Sequence, residues 1–169
     1  MQLKKDDIVI YGNFGLCRIK NITFTSFSHD MPKESYLVLS SVSNPKSTFY
    51  VPERNAPTQL RRPLDKEEIL RLLEEAKSAD ITWTDNRQAR SDEFRAILSK
   101  GVSPQLVSLL NCLYCRREEL QERNKTLCST DEAVFSSAEK LLNEELAYSL
   151  KINKSEVNSF INSFFNNAN

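Results

Sequence analysis

Cys112 and Cys115 stand in C-x-x-C spacing, an arrangement that elsewhere binds zinc or shuttles a disulfide. Neither chemistry finds its remaining parts here. A structural zinc site needs a second ligand pair, and the chain offers a single histidine, His29, with Cys17 and Cys128 each isolated. A redox motif needs its first cysteine at a helix N-terminus after a strand. Cys112 instead lies about two turns inside a helical pattern. All four cysteines are therefore expected to be reduced packing residues. The chain carries no Gly-rich phosphate loop and no G-x-S-x-G elbow. The neighbouring acids Glu67–Glu68, Glu74–Glu75 and Glu144–Glu145 point in different directions on a helix and are expected to be solvated. The residues argue against an enzyme and predict no cofactor, metal or small-molecule substrate. A thiol enzyme built on Cys112 and Cys115 is kept as a rival.

The other candidates bind rather than react. Trp83, the only tryptophan, stands between Thr82 and Thr84, off any apolar stripe. A lone tryptophan is usually core. An exposed one in a break between helices suits insertion at a distorted DNA step. Arg87 and Arg90 are three apart and share a helix face near it. Arg116 and Arg117 follow the core of a later helix. Such arginines either contact phosphates or pair with neighbours such as Asp85, Asp92 and Glu93. The segment Ile22–Phe27 alternates apolar residues with Thr and Ser. It is either an inner strand or an open edge that a partner strand extends, with Phe24 and Phe27 as anchors.

The elements that position these residues fall into two halves. Ile8–Tyr11, Leu16–Phe27, Ser35–Val42 and Ser47–Val51 are rich in β-branched and aromatic residues, with turn chemistry between them. The alternation slips at Lys20–Asn21. So small a sheet is expected to curl into a barrel. Pro52–Pro63 reads as a link. Helical periodicity follows in Ile69, Leu72, Leu73 and Ala76, behind an Asp65/Glu68 capping box, and ends near Ala79. Further helices are predicted around Phe94–Leu98, closed at Gly101, and after the Ser103–Pro104 cap, carrying Leu106, Leu109, Leu110, Leu113 and Tyr114. Another is predicted behind a Ser129/Glu132 capping box, with Phe135, Ala138, Leu141, Leu142 and Leu146. Val157, Phe160, Ile161, Phe164 and Phe165 line one face of the last. The fold class is α+β, with a small β barrel over residues 1–60 and an all-helical domain over 61–169.

The 169 residues suit two small domains, and 40% hydrophobic content supplies a core. No apolar run has the roughly 18–20 residues that span a bilayer, and the N-terminus lacks a secretory pattern. A cytoplasmic protein is expected. The formal net charge is zero. Residues 81–126 carry eight basic against six acidic side chains, and residues 127–169 three against six. A weakly basic middle beside an acidic tail is compatible with local phosphate contact.

The opening DDIVIYGNFGLCRIKNI resembles that of the CarD/CdnL family of bacterial RNA-polymerase-binding transcription regulators, and of the polymerase-interacting domain of transcription–repair coupling factors. Asp7, Val9, Ile10, Tyr11, Gly15, Ile19 and Ile22 carry that likeness. Tyr36–Leu39, Val51–Pro52, Trp83, Leu98–Gly101, LLNCLYCR and LLNEELA extend it over about residues 3–150. Gly12 and Asn13–Phe14 replace the family's Pro and His after the tyrosine. Thr25 and Tyr50 lie near places where some members carry polymerase-facing arginines. The resemblance implies a Tudor-like domain that pairs with the polymerase β subunit through the surface holding Phe24, Thr25, Phe27 and Tyr50. It implies a helical domain that reaches promoter DNA at the upstream edge of the bubble, wedges Trp83 into the minor groove and stabilises the open complex, with Arg87, Arg90, Arg116 and Arg117 on phosphates. A monomer is expected. The alternative is a polymerase adaptor with no DNA contact.

Overall fold

The computed structural model describes residues 3–27, 32–79 and 81–166. His29 lies outside the described residues. The chain divides into two compact units, Met1–Pro63 and Leu64–Asn169. Each is described by itself.

The first unit is an antiparallel sheet of five strands: β1 (Ile8–Tyr11), β2 (Leu16–Thr25), β3 (Glu34–Ser41), β4 (Thr48–Pro52) and β5 (Leu60–Arg61), in spatial order β4-β3-β2-β1-β5. Among the described residues hydrogen bonding does not close the sheet, so the closed ladder of the expected barrel is not seen. β5 is only two residues long, and among the described residues it pairs with β1 alone, while β4 pairs with β3 alone. The stretch read as a plain link from Pro52 to Pro63 holds a 3-10 turn (Glu53–Asn55), the short helix α1 (Ala56–Gln59) and β5. Ala56 and Leu60 from this stretch join Val9, Cys17, Ile19, Leu37, Leu39 and Val51 in the core. Apolar side chains from a connecting segment thus help cover one face of the sheet, where closure of the ladder would otherwise be needed.

The slip in alternation is a β-bulge. Ile19 pairs with Leu39 and Asn21 with Val38, leaving Lys20 as the extra residue. Ile19 and Ile22 are three apart and would face opposite ways in a regular strand. The bulge puts both on the face that carries Leu37 and Leu39.

The second unit is helical: α2 (Lys66–Ala76), α3 (Arg87–Ser99), α4 (Pro104–Glu122), α5 (Ser129–Leu150) and α6 (Lys154–Asn166). α2 opens on the reciprocal capping box of Asp65 and Glu68. α3 is capped by Asn86, whose side chain accepts the Gln88 and Ala89 N–H groups. Ser103 caps α4 with Pro104 in its first turn. α5 begins one residue earlier than the Ser129/Glu132 pattern predicts, with Cys128 as its N-cap residue. Gly101, at φ +71°, ends the α3 turn in the left-handed region.

The predicted apolar stripes converge in one core of Ile69, Leu72, Leu73, Phe94, Leu106, Leu109, Leu113, Phe135, Leu142, Leu146, Val157 and Ile161, among others. Phe160, Phe164 and Phe165 pack against it, so the α6 stripe is core. The Ser108 hydroxyl donates to the Ala76 carbonyl at 2.6 Å and ties α4 to the last turn of α2. Among the described residues, no helix is long and apolar enough to cross a membrane.

Candidate functional site

The helical unit gathers three of its five candidate residues, Arg87, Arg90 and Arg117, around the first turn of α5; Trp83 joins them through Arg90, and Arg116 lies over the same ring. Arg87 donates to the Thr130 hydroxyl at 3.1 Å. Arg90 donates through Nε and Nη2 to the two oxygens of Asp131, at 3.3 and 2.9 Å. Arg117 lies 4.0 Å from Glu132. Three consecutive residues of α5 thus each hold an arginine from another helix. Acidic side chains there also suit the positive end of the helix dipole.

Trp83 is half-buried, not exposed as its position in the inter-helix break predicts. Its ring packs against the core and approaches Phe94, with centroids 6.3 Å apart. The Arg90 guanidinium sits over the ring at 4.3 Å and that of Arg116 at 5.1 Å. The indole is therefore a shared surface for two cations at the edge of the core.

The arginines differ in availability. Arg90 is 6% exposed, and its Nη1 donates to the Thr84 carbonyl as well. Its charge is committed inside the protein, which corrects the expectation of a phosphate contact. The hydrogen bonds to Asp131 hold the Arg90 pKa above its ordinary value against the opposing effect of burial. Arg116 is half-buried and pairs with the exposed Glu119 at 2.8 Å, while its Nε is buried with no hydrogen-bond partner among the described residues. Arg87 is exposed, and Arg117 is partly exposed and lies over the Phe135 ring at 5.1 Å. Of the anticipated pairs with Asp85, Asp92 and Glu93, none is made by these four arginines among the described contacts; Asp92 accepts instead from Gln88.

In the sheet unit, β2 lies between β1 and β3, yet β1 accompanies it only over Leu16–Arg18. Two backbone bonds between Asp6–Asp7 and Ile19 extend the contact slightly. From Asn21 to Thr25, β3 is the one strand that pairs with β2 among the described residues, so the other edge is open. Both sequence alternatives are thus partly met: an inner strand for its first half, an edge for its second. Phe24 is 68% exposed on this edge segment. The strand ends at Thr25, and Phe27 lies beyond it with its ring against Tyr36 and Tyr50, at 4.9 and 5.0 Å. Tyr36 is the member of this cluster that the sequence reading missed. A second cluster, of Tyr11, Phe14 and Phe49, was missed as well; Phe14 there is 53% exposed.

The C-x-x-C residues lie on α4 as free thiols, Cys112 half-buried and Cys115 exposed. Desolvation pushes both thiol pKa values up, aided at Cys112 by Cys115 and at Cys115 by Glu118. Neither environment activates a nucleophile. Among the described residues, no group of three or more His, Cys, Asp or Glu is placed to hold a metal.

Glu144 and Glu145 are not solvated as expected: both are buried. Glu145 accepts the Leu64 N–H at 3.0 Å, and Glu144 lies 3.7 Å from the Lys154 ammonium. Asp131 also escaped the sequence reading, and Cys128, expected only as a packing thiol, is one of its partners. The Cys128 thiol donates to the Asp131 carboxylate at 3.1 Å. The signal available for Asp131 was an acid in the first turn of a helix, but nothing local names its partner.

Residues 3–64 match the family model of the CarD-like/TRCF RID domain. The match spans the sheet unit and stops where the helical unit begins, and it supports a transcription-related protein that interacts with RNA polymerase. Comparison with curated proteins returned no match.

Proposed function

We infer that this chain is a non-enzymatic transcription regulator of the CarD/CdnL kind, working in the cytoplasm as a monomer. Its sheet unit binds the β subunit of RNA polymerase. The open edge of β2 at Asn21–Thr25 offers backbone donors and acceptors to a partner strand, and Phe24, Phe27 and Tyr50 supply apolar anchors. Its helical unit touches promoter DNA at the upstream edge of the bubble. There Trp83 meets the distorted step, and Arg87, Arg116 and Arg117 lie near phosphates, lengthening the life of the open complex. The observation that carries the reading is the family match over residues 3–64.

The test is a pull-down of polymerase by the full chain. Phe24→Asp places a charge on a side chain 68% exposed, so the fold should persist while capture of the β subunit falls. Unchanged capture by both Phe24→Asp and Thr25→Pro refutes the docking surface.

A second reading is a polymerase adaptor without DNA contact. It is favoured by the commitment of Arg90 to Asp131 and by the half-burial of Trp83. Binding of the chain to forked promoter DNA, with and without polymerase, separates the two.

A further inference from the structure

The two cations over the Trp83 ring are held in different ways. Arg116 pairs with an exposed glutamate at the solvent boundary. Arg90 is locked: Nε and Nη2 bind Asp131, Nη1 binds the carbonyl of Thr84, and the guanidinium carbon sits over the indole, 4.3 Å from the ring centroid. Asp131 is 3% exposed and also accepts a hydrogen bond from the Cys128 thiol. One planar group therefore grips the main chain next to Trp83, supports its ring and is bolted to the first turn of α5.

A buried ion pair contributes little net stability over apolar side chains of the same volume. What a bidentate Arg–carboxylate pair supplies is a plane of fixed orientation. The segment Ile81–Asn86 has no regular secondary structure to orient an indole by itself. We propose that the Arg90–Asp131 pair is the positioning element of Trp83, fixing how far the indole protrudes and which way its plane faces. The functional meaning rests on the reading of Trp83 as a DNA contact. The pair itself touches no DNA.

Trp83 is the only tryptophan in the chain, so intrinsic emission reports this residue alone. Asp131→Asn by itself leaves the Arg90 charge buried without its counter-ion and endangers the fold. The deciding protein is therefore the full-length double variant Arg90→Met with Asp131→Asn, which removes both charges and keeps a polar residue in the α5 first turn. With far-UV circular dichroism unchanged, its emission should move to the red and its acrylamide quenching constant should rise about twofold or more. Its affinity for forked promoter DNA should fall by as much as that of Trp83→Ala, about tenfold for one stacked base. Adding Trp83→Ala to the double variant should bring no further loss. A folded double variant with unaltered emission and quenching overturns the proposal, and so do losses that simply add. If Trp83→Ala leaves DNA affinity intact while the double variant still shifts the emission, the DNA reading fails and the positioning of the ring stands.

Discussion

Replacing Trp83 by alanine should cost folding stability, by an amount that follows from its surroundings. Truncating a fully buried tryptophan costs about 3–5 kcal/mol. Trp83 is half-buried against Phe94 and the helical core, so roughly half of that applies, about 2 kcal/mol. Its ring also carries two guanidinium contacts, worth about 0.5–1 kcal/mol each at the edge of solvent. The sum is about 3 kcal/mol. In a unit of this size, each kcal/mol moves Tm by about 4 °C or more, so a fall above about 10 °C is expected. Circular dichroism at 222 nm is the assay, because the substitution removes the fluorophore. Trp83→Phe, which keeps an aromatic face for Arg90, should recover more than half of the loss. A melt of the alanine variant within about 2 °C of the parent would refute the placement of Trp83 against the core. Open-complex lifetime must then be compared well below the variant's own transition.

Three further outcomes are expected. Glu145→Ala should destabilise the helical unit by about 1–3 kcal/mol, because it strands the Leu64 N–H, and urea denaturation checks it. At pH 7, Cys112 and Cys115 should react with iodoacetamide more slowly than free cysteine. Their raised pKa values lower the thiolate fraction, and the rate should climb only as pH rises past the ordinary thiol range. Removing Arg87 and Arg117 together should weaken binding to forked promoter DNA and make the slope of log affinity against log salt shallower by roughly one to two, whatever the promoter sequence; an unchanged slope means neither reaches a phosphate.

Much of the fold is legible because its signals are local. The Asp65/Glu68 box and the Ser103–Pro104 cap satisfy donors within four residues of themselves, and the slip at Lys20–Asn21 shows in the strand's own alternation. The misreadings share the opposite property. Arg90 and Asp131 are 41 residues apart, and neither helix pattern names the other as a partner. The Glu144–Glu145 pair looks like a solvated face until α6 returns with Lys154 and the Leu64 N–H meets Glu145. β5 is two residues long, too short for any periodicity, and exists because β1 has a free edge to pair with. Within the candidate site, sequence found the arginines and the tryptophan but not that one arginine is structural. Burial of a long polar side chain is decided by a distant carboxylate, not by its neighbours in the chain.

The bulge in β2 gives the sheet an unusual tolerance. Lys20 is a residue the ladder does not count: with it gone, Asn21 would still stand opposite Val38 and Ile22 opposite Leu37. Ile19 and Ile22 would keep their shared face, and Phe24 would keep its own. What would change is the path of the strand, because an extra residue on one side of an antiparallel pair bends it and tightens its twist. A single-codon loss at this point therefore alters the direction in which the exposed end of β2 leaves the sheet while preserving every side chain's facing. Lys20 is the strand's aiming screw, adjustable by length rather than by chemistry.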